Sequence, residues 1–250
     1  MKQIGEPRQV GLARALSKLG FCSRSKAAKL IRAGHVRLNG TLRRNPEASV
    51  RMVCDRIEVD GNVVAAESRI YLMLNKPRGV VTTASDEKGR QNVYSFLNGT
   101  LPWVGPVGRL DKASEGLLLL TNDSEWGARI SEPDSHLDKT YHVQVSARAE
   151  EIRIDQLVAG VLAGGELLRA KRIRVLRAGE KNTWLEIVID EGKNRQIRRM
   201  MEHLEIGILR LIRVAIGPLT LGQLAKGNFR ELAADEKIAL DGAAKPLRDK

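Results

Sequence analysis

The 250-residue chain has only two cysteines, Cys22 and Cys54, and neither lies in a Cys-x-x-Cys pair. This excludes a disulfide framework and a zinc knuckle, and it fits a reducing compartment. Aromatic residues make up 4% of the chain, and Phe21 is the one ring in its first 61 residues. Base stacking is therefore not the main device of that stretch. The four histidines (His35, His136, His142, His203) never fall in a metal-ligand spacing such as His-Glu-x-x-His, and the zinc deaminase signature is missing. Neither a GxGxxG nor a GxxxxGK segment is present, so nucleotide-cofactor folds are unsupported, and there is no GxSxG nucleophile elbow. No apolar run approaches the roughly 20 residues of a membrane span. The polar start, Met1 to Val10, does not read as a signal peptide, and a cytoplasmic protein is expected. Any chemistry must rest on Asp, Arg, Lys or Tyr, with no metal or cofactor.

What is present in excess is positive charge. The formal net charge is +12 and the pI is near 10.0, which points to a polyanionic partner. The charge is unevenly placed. Residues 1–61 hold 13 Lys/Arg against 5 Asp/Glu, whereas residues 62–250 hold 29 against 25. A small basic module thus precedes a larger, nearly balanced one.

In the first module, residues 11–61, Leu12, Ala15, Leu16 and Leu19 recur at helical spacing and Gly20 closes the helix. Ser23 is placed to cap a second helix that turns Ala27, Ala28, Leu30 and Ile31 inward and stops at Gly34. Val36-Arg37-Leu38 leads into the hairpin signal Asn39-Gly40, and Arg56 to Val59 leads into Asp60-Gly61. Arg14, Lys18, Arg24, Lys26, Lys29, Arg32, Arg37, Arg43 and Arg44 surround this small core with few acids among them. That pattern favours a phosphate-facing surface over a merely solvated one.

Residues 62–69 read as a linker. Beyond it, Tyr71 to Leu74, Val80 to Thr83, Gly116 to Thr121, Lys139 to Val145, Ile173 to Leu176, Trp184 to Ile189 and Leu209 to Ile216 read as strands. Glu125 to Ile130 and Ile152 to Val161 read as helices, as does the segment after the Glu191-to-Arg195 loop. Ala84 to Asn92 reads as a mobile loop and residues 236–250 as a frayed tail. Many short strands with few helices predict an α+β fold: a small α/β RNA-binding domain, then a mixed, mainly antiparallel sheet domain over 70–235.

The stretch Gly108-Arg109-Leu110-Asp111 sets a guanidinium and a carboxylate two residues apart, just before the apolar run Leu117 to Leu120. On local grounds Asp111 reads equally as a turn residue or as a reactive group. Tyr141 shares a strand face with Val143 and Val145, which a core tyrosine would also do. The helix after Arg195 begins with Arg198 and Arg199, against the preference of a helix start for acids. Cations there point to a bound anion, either a phosphate or a carboxylate of the protein itself.

Leu16 to Gly20, Ser23-Arg24, Ala27, Leu30-Ile31, Gly34, Val36 and Asn39-Gly40 resemble the S4 RNA-binding domain. Over residues 70–232 four motifs recur in order: Leu74 to Gly79, Gly108 to Asp111 with Ser114 to Leu118, Lys139-Thr140-Tyr141, and Glu191 to Met200. Together they resemble the catalytic domain of the RsuA/RluB/RluE/RluF family of ribosomal RNA pseudouridine synthases. The resemblance implies that Asp111 is the catalytic aspartate. It implies that Arg109 fills the space left by a flipped uridine and that Tyr141 packs on the target base. Arg198 would pair with the carboxylate, Ile197 would lie beside it, and Arg195 would meet a phosphate or the acid. Lys76 and Arg78 would join the substrate-binding set. The implied partner is ribosomal RNA, bound by a monomer without a membrane. A non-catalytic ribosome-assembly factor is the competing reading, and a nucleoside-cleaving enzyme using Asp111 and Glu115 as a carboxylate pair is a further one.

Overall fold

The computed structural model describes residues 9–83, 89–97, 99, 101–132 and 135–244. These fall into two compact units. One takes residues 9–71, 99, 101–105 and 121–124, and the other residues 72–83, 89–97, 106–120, 125–132 and 135–244.

The first unit starts with β1 (Val10–Gly11), α1 (Leu12–Lys18) and α2 (Arg24–Ala33). It continues through β2 (Val36–Leu38), β3 (Thr41–Arg43), β4 (Ser49–Val50), β5 (Ile57–Val59) and β6 (Asn62–Val63). Leu12, Ala15 and Leu16 are buried with Ala27, Ile31 and Val36, so the helical spacing does set a core face. The Ser23 hydroxyl accepts the Lys26 amide at 3.2 Å, and Gly34 ends α2 at φ 86°. The Asn39-Gly40 turn joins β2 to β3 with both residues at positive φ, 52° and 78°. Such a pair is what a two-residue hairpin demands. Asp60-Gly61 repeats the device between β5 and β6, so the chain beyond Gly61 first completes a hairpin before serving as a linker. The four-stranded sheet runs β3-β2-β5-β6, and β1 pairs with β4.

The second part of the chain contributes β7 (Tyr71–Lys76), β8 (Gly105–Val107), β9 (Glu115–Thr121), α3 (Ser124–Ser131), β10 (Lys139–Val145) and α4 (Ile154–Ala159). Then follow β11 (Val161–Ala163), β12 (Glu166–Leu168), β13 (Arg172–Ala178), β14 (Thr183–Ile189), α5 (Gln196–His203), β15 (Ile208–Ile216), β16 (Leu219–Thr220), β17 (Phe229–Glu231) and α6 (Ala234–Ala243). A nine-stranded sheet is ordered β13-β14-β10-β15-β9-β7-β17, with β8 on β9 and β16 on β15. β10 pairs antiparallel with both β14 and β15, while β15 and β9 pair in parallel. One apolar core joins Val143 and Val145 of β10 and Leu185 and Ile187 of β14 to Leu157 of α4 and Met200 of α5. The fold is therefore α+β with a mixed, mainly antiparallel sheet.

Three expectations need correction. Val80 to Thr83 forms no strand, only an isolated bridge between Val81 and Asn92. The helix expected over 152–161 is cut to Ile154–Ala159, because Gly160 at φ 116° turns the chain into β11. Residues 236–243 are not a tail but belong to α6. Leu240 is buried, Asp241 accepts the Trp126 indole N–H at 2.8 Å, and Glu236 caps the helix by accepting the Ala233 amide at 2.9 Å. The Ala- and Asp-rich composition hid that anchoring. Residues 84–88 and 245–250, parts of the expected loop and tail, lie outside the described residues.

Candidate active site

The Asp111 turn is fixed by backbone carbonyls rather than by its own side chain. Lys76, at the end of β7, is fully buried, and its Nζ donates to the carbonyls of Pro77 at 3.1 Å, Asp111 at 3.1 Å and Ser114 at 2.8 Å. The Thr82 hydroxyl donates to Leu110 O at 2.8 Å, and the Gly79 amide to Lys112 O at 2.7 Å. Burial pulls the Lys76 pKa down to about 8, against the opposing pull of Asp111 and Glu115. Lys76 is thus a clamp beneath the turn and does not reach the cavity, contrary to its expected place among substrate-binding residues.

Above the turn lies a cavity of about 220 Å³. It is smaller than the roughly 300–1,000 Å³ pockets that enclose drug-sized ligands, and its size suits a single ring. Asp111, Arg109, Tyr141, Arg195, Ile197 and Arg198 all line it, so residues from three separate motifs meet there. Arg78 does not; it is exposed and donates to Leu209 O at 3.2 Å. The Asp111 side chain is 41% exposed, and its Oδ2 lies 3.9 Å from Arg198 Nε. That separation is Coulombic proximity, too long for a hydrogen bond. Arg198 hangs instead by Nη2 on Ala113 O at 3.1 Å, which leaves its buried Nε without a partner among the described residues. Burial and the charges of Arg195 and Arg78 draw the Arg198 pKa below its ordinary value, and Asp111 pulls it back. Tyr141 is half-buried, one side on the core and the other on the cavity.

The cationic start of α5 serves two ends. Arg199 finds its anion within the protein, Glu166 at 2.6 Å, whereas Arg195 and Arg198 face the cavity. Arg195 adopts φ 50° at the helix N-cap. Glu115 opens β9. It is buried and bound by Arg210 at 3.0 Å and Lys226 at 2.5 Å. Burial raises its pKa, but the hydrogen bonds from Arg210 and Lys226 outweigh that and leave it lowered. Sequestered and outside the cavity lining, Glu115 cannot pair with Asp111 for glycoside cleavage.

Sequence reasoning passed over two cations that also line the cavity, Lys139 and Arg213. An arginine inside the apolar run Leu209 to Ile216 was the available signal. Its weight lies in the pairing, which sets Arg213 directly opposite Tyr141. In the first unit Arg14, Arg24, Lys26, Lys29, Arg32 and Arg37 are exposed and Lys18 is half-buried. Arg37 donates to Gly40 O at 2.9 Å, and Arg44 to Arg32 O at 3.0 Å. Among the described residues, no three His, Cys, Asp or Glu side chains are grouped to hold a metal, and no helix is long and apolar enough to cross a membrane.

Residues 70–203 match the RNA pseudouridylate synthase family, and residues 10–57 match the S4 domain. An RNA pseudouridine synthase of Aquifex aeolicus is 36% identical over 233 residues, covering 93% of this chain and 94% of that protein. The ribosomal large subunit pseudouridine synthase B of Bacillus subtilis is 36% identical over 228 residues, covering 90% and 93%. A pseudouridylate synthase crystal structure superposes with a TM-score of 0.65 at 30% identity, over 92% of this chain and 99% of that one. With more than half its length in the family match and relatives aligned end to end, the chain belongs to the RNA pseudouridylate synthase family and is an RNA pseudouridine synthase carrying an S4 domain.

Proposed function

We propose that this enzyme works as a cytoplasmic monomer and isomerises a uridine of ribosomal RNA to pseudouridine, with Asp111 as the reacting carboxylate. The observation that carries this reading is the convergence on one ring-sized cavity of Asp111, Tyr141 and Arg198, from motifs far apart in the chain. The ribosomal substrate rests on the relationship to the Bacillus subtilis protein, whose name assigns it to the large ribosomal subunit.

The reaction breaks the bond from ribose C1′ to uracil N1, turns the ring, and joins C1′ to C5, which gives up its proton. A carboxylate serves as nucleophile at uracil C6 or at the ribose, and then as base. Arg198 sets a positive charge 3.9 Å from that carboxylate. A uridine must leave its stack to reach the cavity, at a cost of a few kcal/mol. On this reading Arg109, which is exposed and lines the cavity, fills the gap, and Tyr141, also in the lining, packs on the extruded base. These contacts offset part of the cost.

The test is tritium release from ribosomal RNA transcripts labelled at uridine C5, with carbodiimide mapping of the product. Release with an intact strand is expected. Free uracil, or an abasic site, would overturn the reading in favour of base cleavage.

The first unit holds the RNA by its phosphates, through the exposed cations of α1, α2 and β2. In a Lys26→Glu/Lys29→Glu variant the slope of log affinity against log salt is expected to fall by about 1.5, since each lost phosphate contact removes about 0.7–0.9. Single-turnover rate at saturating RNA is expected to stay the same. An unchanged slope would remove these lysines from the interface.

A further inference from the structure

Arg213 is a buried arginine in search of an acceptor. It is 6% exposed, on β15. Its Nε donates to Leu117 O at 2.8 Å, but its Nη2 is buried with no hydrogen-bond partner among the described residues. No carboxylate lies within ion-pair distance of it among those residues; instead two other cations, Lys76 and Lys139, stand near it, each with a pKa lowered chiefly by burial and further by the Arg213 charge. A buried, unpaired charge beside like charges is costly, and folding gives no reason to keep it. A bound ligand does. Arg213 lines the cavity and stands directly across from Tyr141 in the β10–β15 pairing, on the same face of the sheet. Facing residues on adjacent strands hold their Cβ atoms about 4.5–5.5 Å apart. A ring resting on Tyr141 therefore presents its edge to the Arg213 guanidinium.

We infer that Arg213 donates through Nη2 to an exocyclic carbonyl oxygen of the target uracil and stabilises the charge formed when the ring is detached. This inference rests on the reading above, in which the base occupies the cavity against Tyr141. When the C1′–N1 bond breaks, its electron pair stays with uracil and spreads over O2 and O4, while C1′ passes to its bond with the carboxylate or to a glycal whose C2′ proton the carboxylate takes. Rejoining through C5 returns the pair to carbon. A fixed, buried donor acts on that charge far more strongly than on the neutral base. Arg213 therefore belongs to the chemical step rather than to RNA affinity.

The experiment measures RNA affinity, thermal melting and single-turnover tritium release for Arg213→Lys and Arg213→Gln. The rate at saturating RNA is expected to fall about 100- to 1,000-fold in Arg213→Gln, the loss typical of one such donor, with affinity within threefold of the parent. Added guanidinium is expected to restore part of the rate at unchanged affinity. A folded variant with the parent's rate overturns the inference. So does a rate loss matched by a loss of affinity, which would make Arg213 a phosphate clamp. Transcripts carrying 2-thiouridine or 4-thiouridine at the target give a reading that needs no folded variant. One of the two sulfurs, a poorer acceptor, is expected to slow the parent enzyme more than tenfold, and two equal, unaffected rates overturn the contact. Failure of the functional reading looks different, because the parent enzyme would then release no tritium from any ribosomal transcript.

Discussion

Asp111→Asn is expected to abolish pseudouridine formation, with a loss of about 10⁴-fold or more, the scale seen when a residue doing covalent chemistry is removed. The amide keeps the shape of the carboxylate but neither attacks nor accepts a proton. The protein is expected to survive the change intact. The Asp111 side chain is 41% exposed, and what holds its turn are the backbone contacts from Lys76, Thr82 and Gly79. Its stability should change by no more than about 0.5 kcal/mol. RNA affinity is also expected to hold, since the exposed cations of the first unit are untouched. Tritium release and filter binding on the same transcript separate the two quantities. A variant that still forms pseudouridine at a measurable fraction of the parent rate would assign the chemistry to another group.

Gly116→Ala is expected to cost about 4 kcal/mol or more, among the largest effects a single added methyl can have. Two penalties fall on the same atom. Gly116 sits at φ 101°, where an L side chain is strained. A Cβ there would also lie 2.3 Å from the Arg213 carbonyl oxygen and 2.9 Å from its amide nitrogen. Both are backbone atoms, so no side chain can swing aside. The parallel contact of β9 with β15, Ile212 to Glu115 and Arg213 to Gly116, would have to part. Gly40→Ala is the contrast. Gly40 also has positive φ, 78°, but nothing lies within 4 Å of its missing Cβ, so about 1–2 kcal/mol is expected there. Urea denaturation of the two variants reads the difference, and equal costs would show that the close approach of β15 is not rigid.

The first module was legible nearly residue by residue because its signals are local. A cap, a C-terminal glycine and two Asx-Gly turns each act within four residues, and each appears where the sequence put it. In the larger domain the helical and strand periods were legible, but which strands meet was not. Lys76 shows the limit. From sequence it is a cation in a turn, and nothing nearby reveals that its ammonium is sealed under the Asp111 carbonyl 35 residues on. Glu115 read as a possible partner of Asp111 because the two lie four residues apart, while the groups that hold it, Arg210 and Lys226, lie about a hundred residues away. Arg213 went unassigned for the same reason, since its meaning resides in a strand pairing. The motif residues Asp111, Tyr141, Ile197 and Arg198 were found because family resemblance carries long-range information that local chemistry does not.

The hydrogen bond from Arg213 to Leu117 spans 96 residues of chain, and it accompanies the parallel pairing of β15 with β9. Contacts of such separation form late, because the long loop must close before any of its pairings can repay the lost entropy. A chain made from its amino terminus completes the S4 domain, with its short-range hairpins, long before β15 exists. During synthesis the protein passes through a period in which it can hold RNA but has no cavity over Asp111. The cavity wall is complete only when β15 lies beside β9 and brings Arg213 to it.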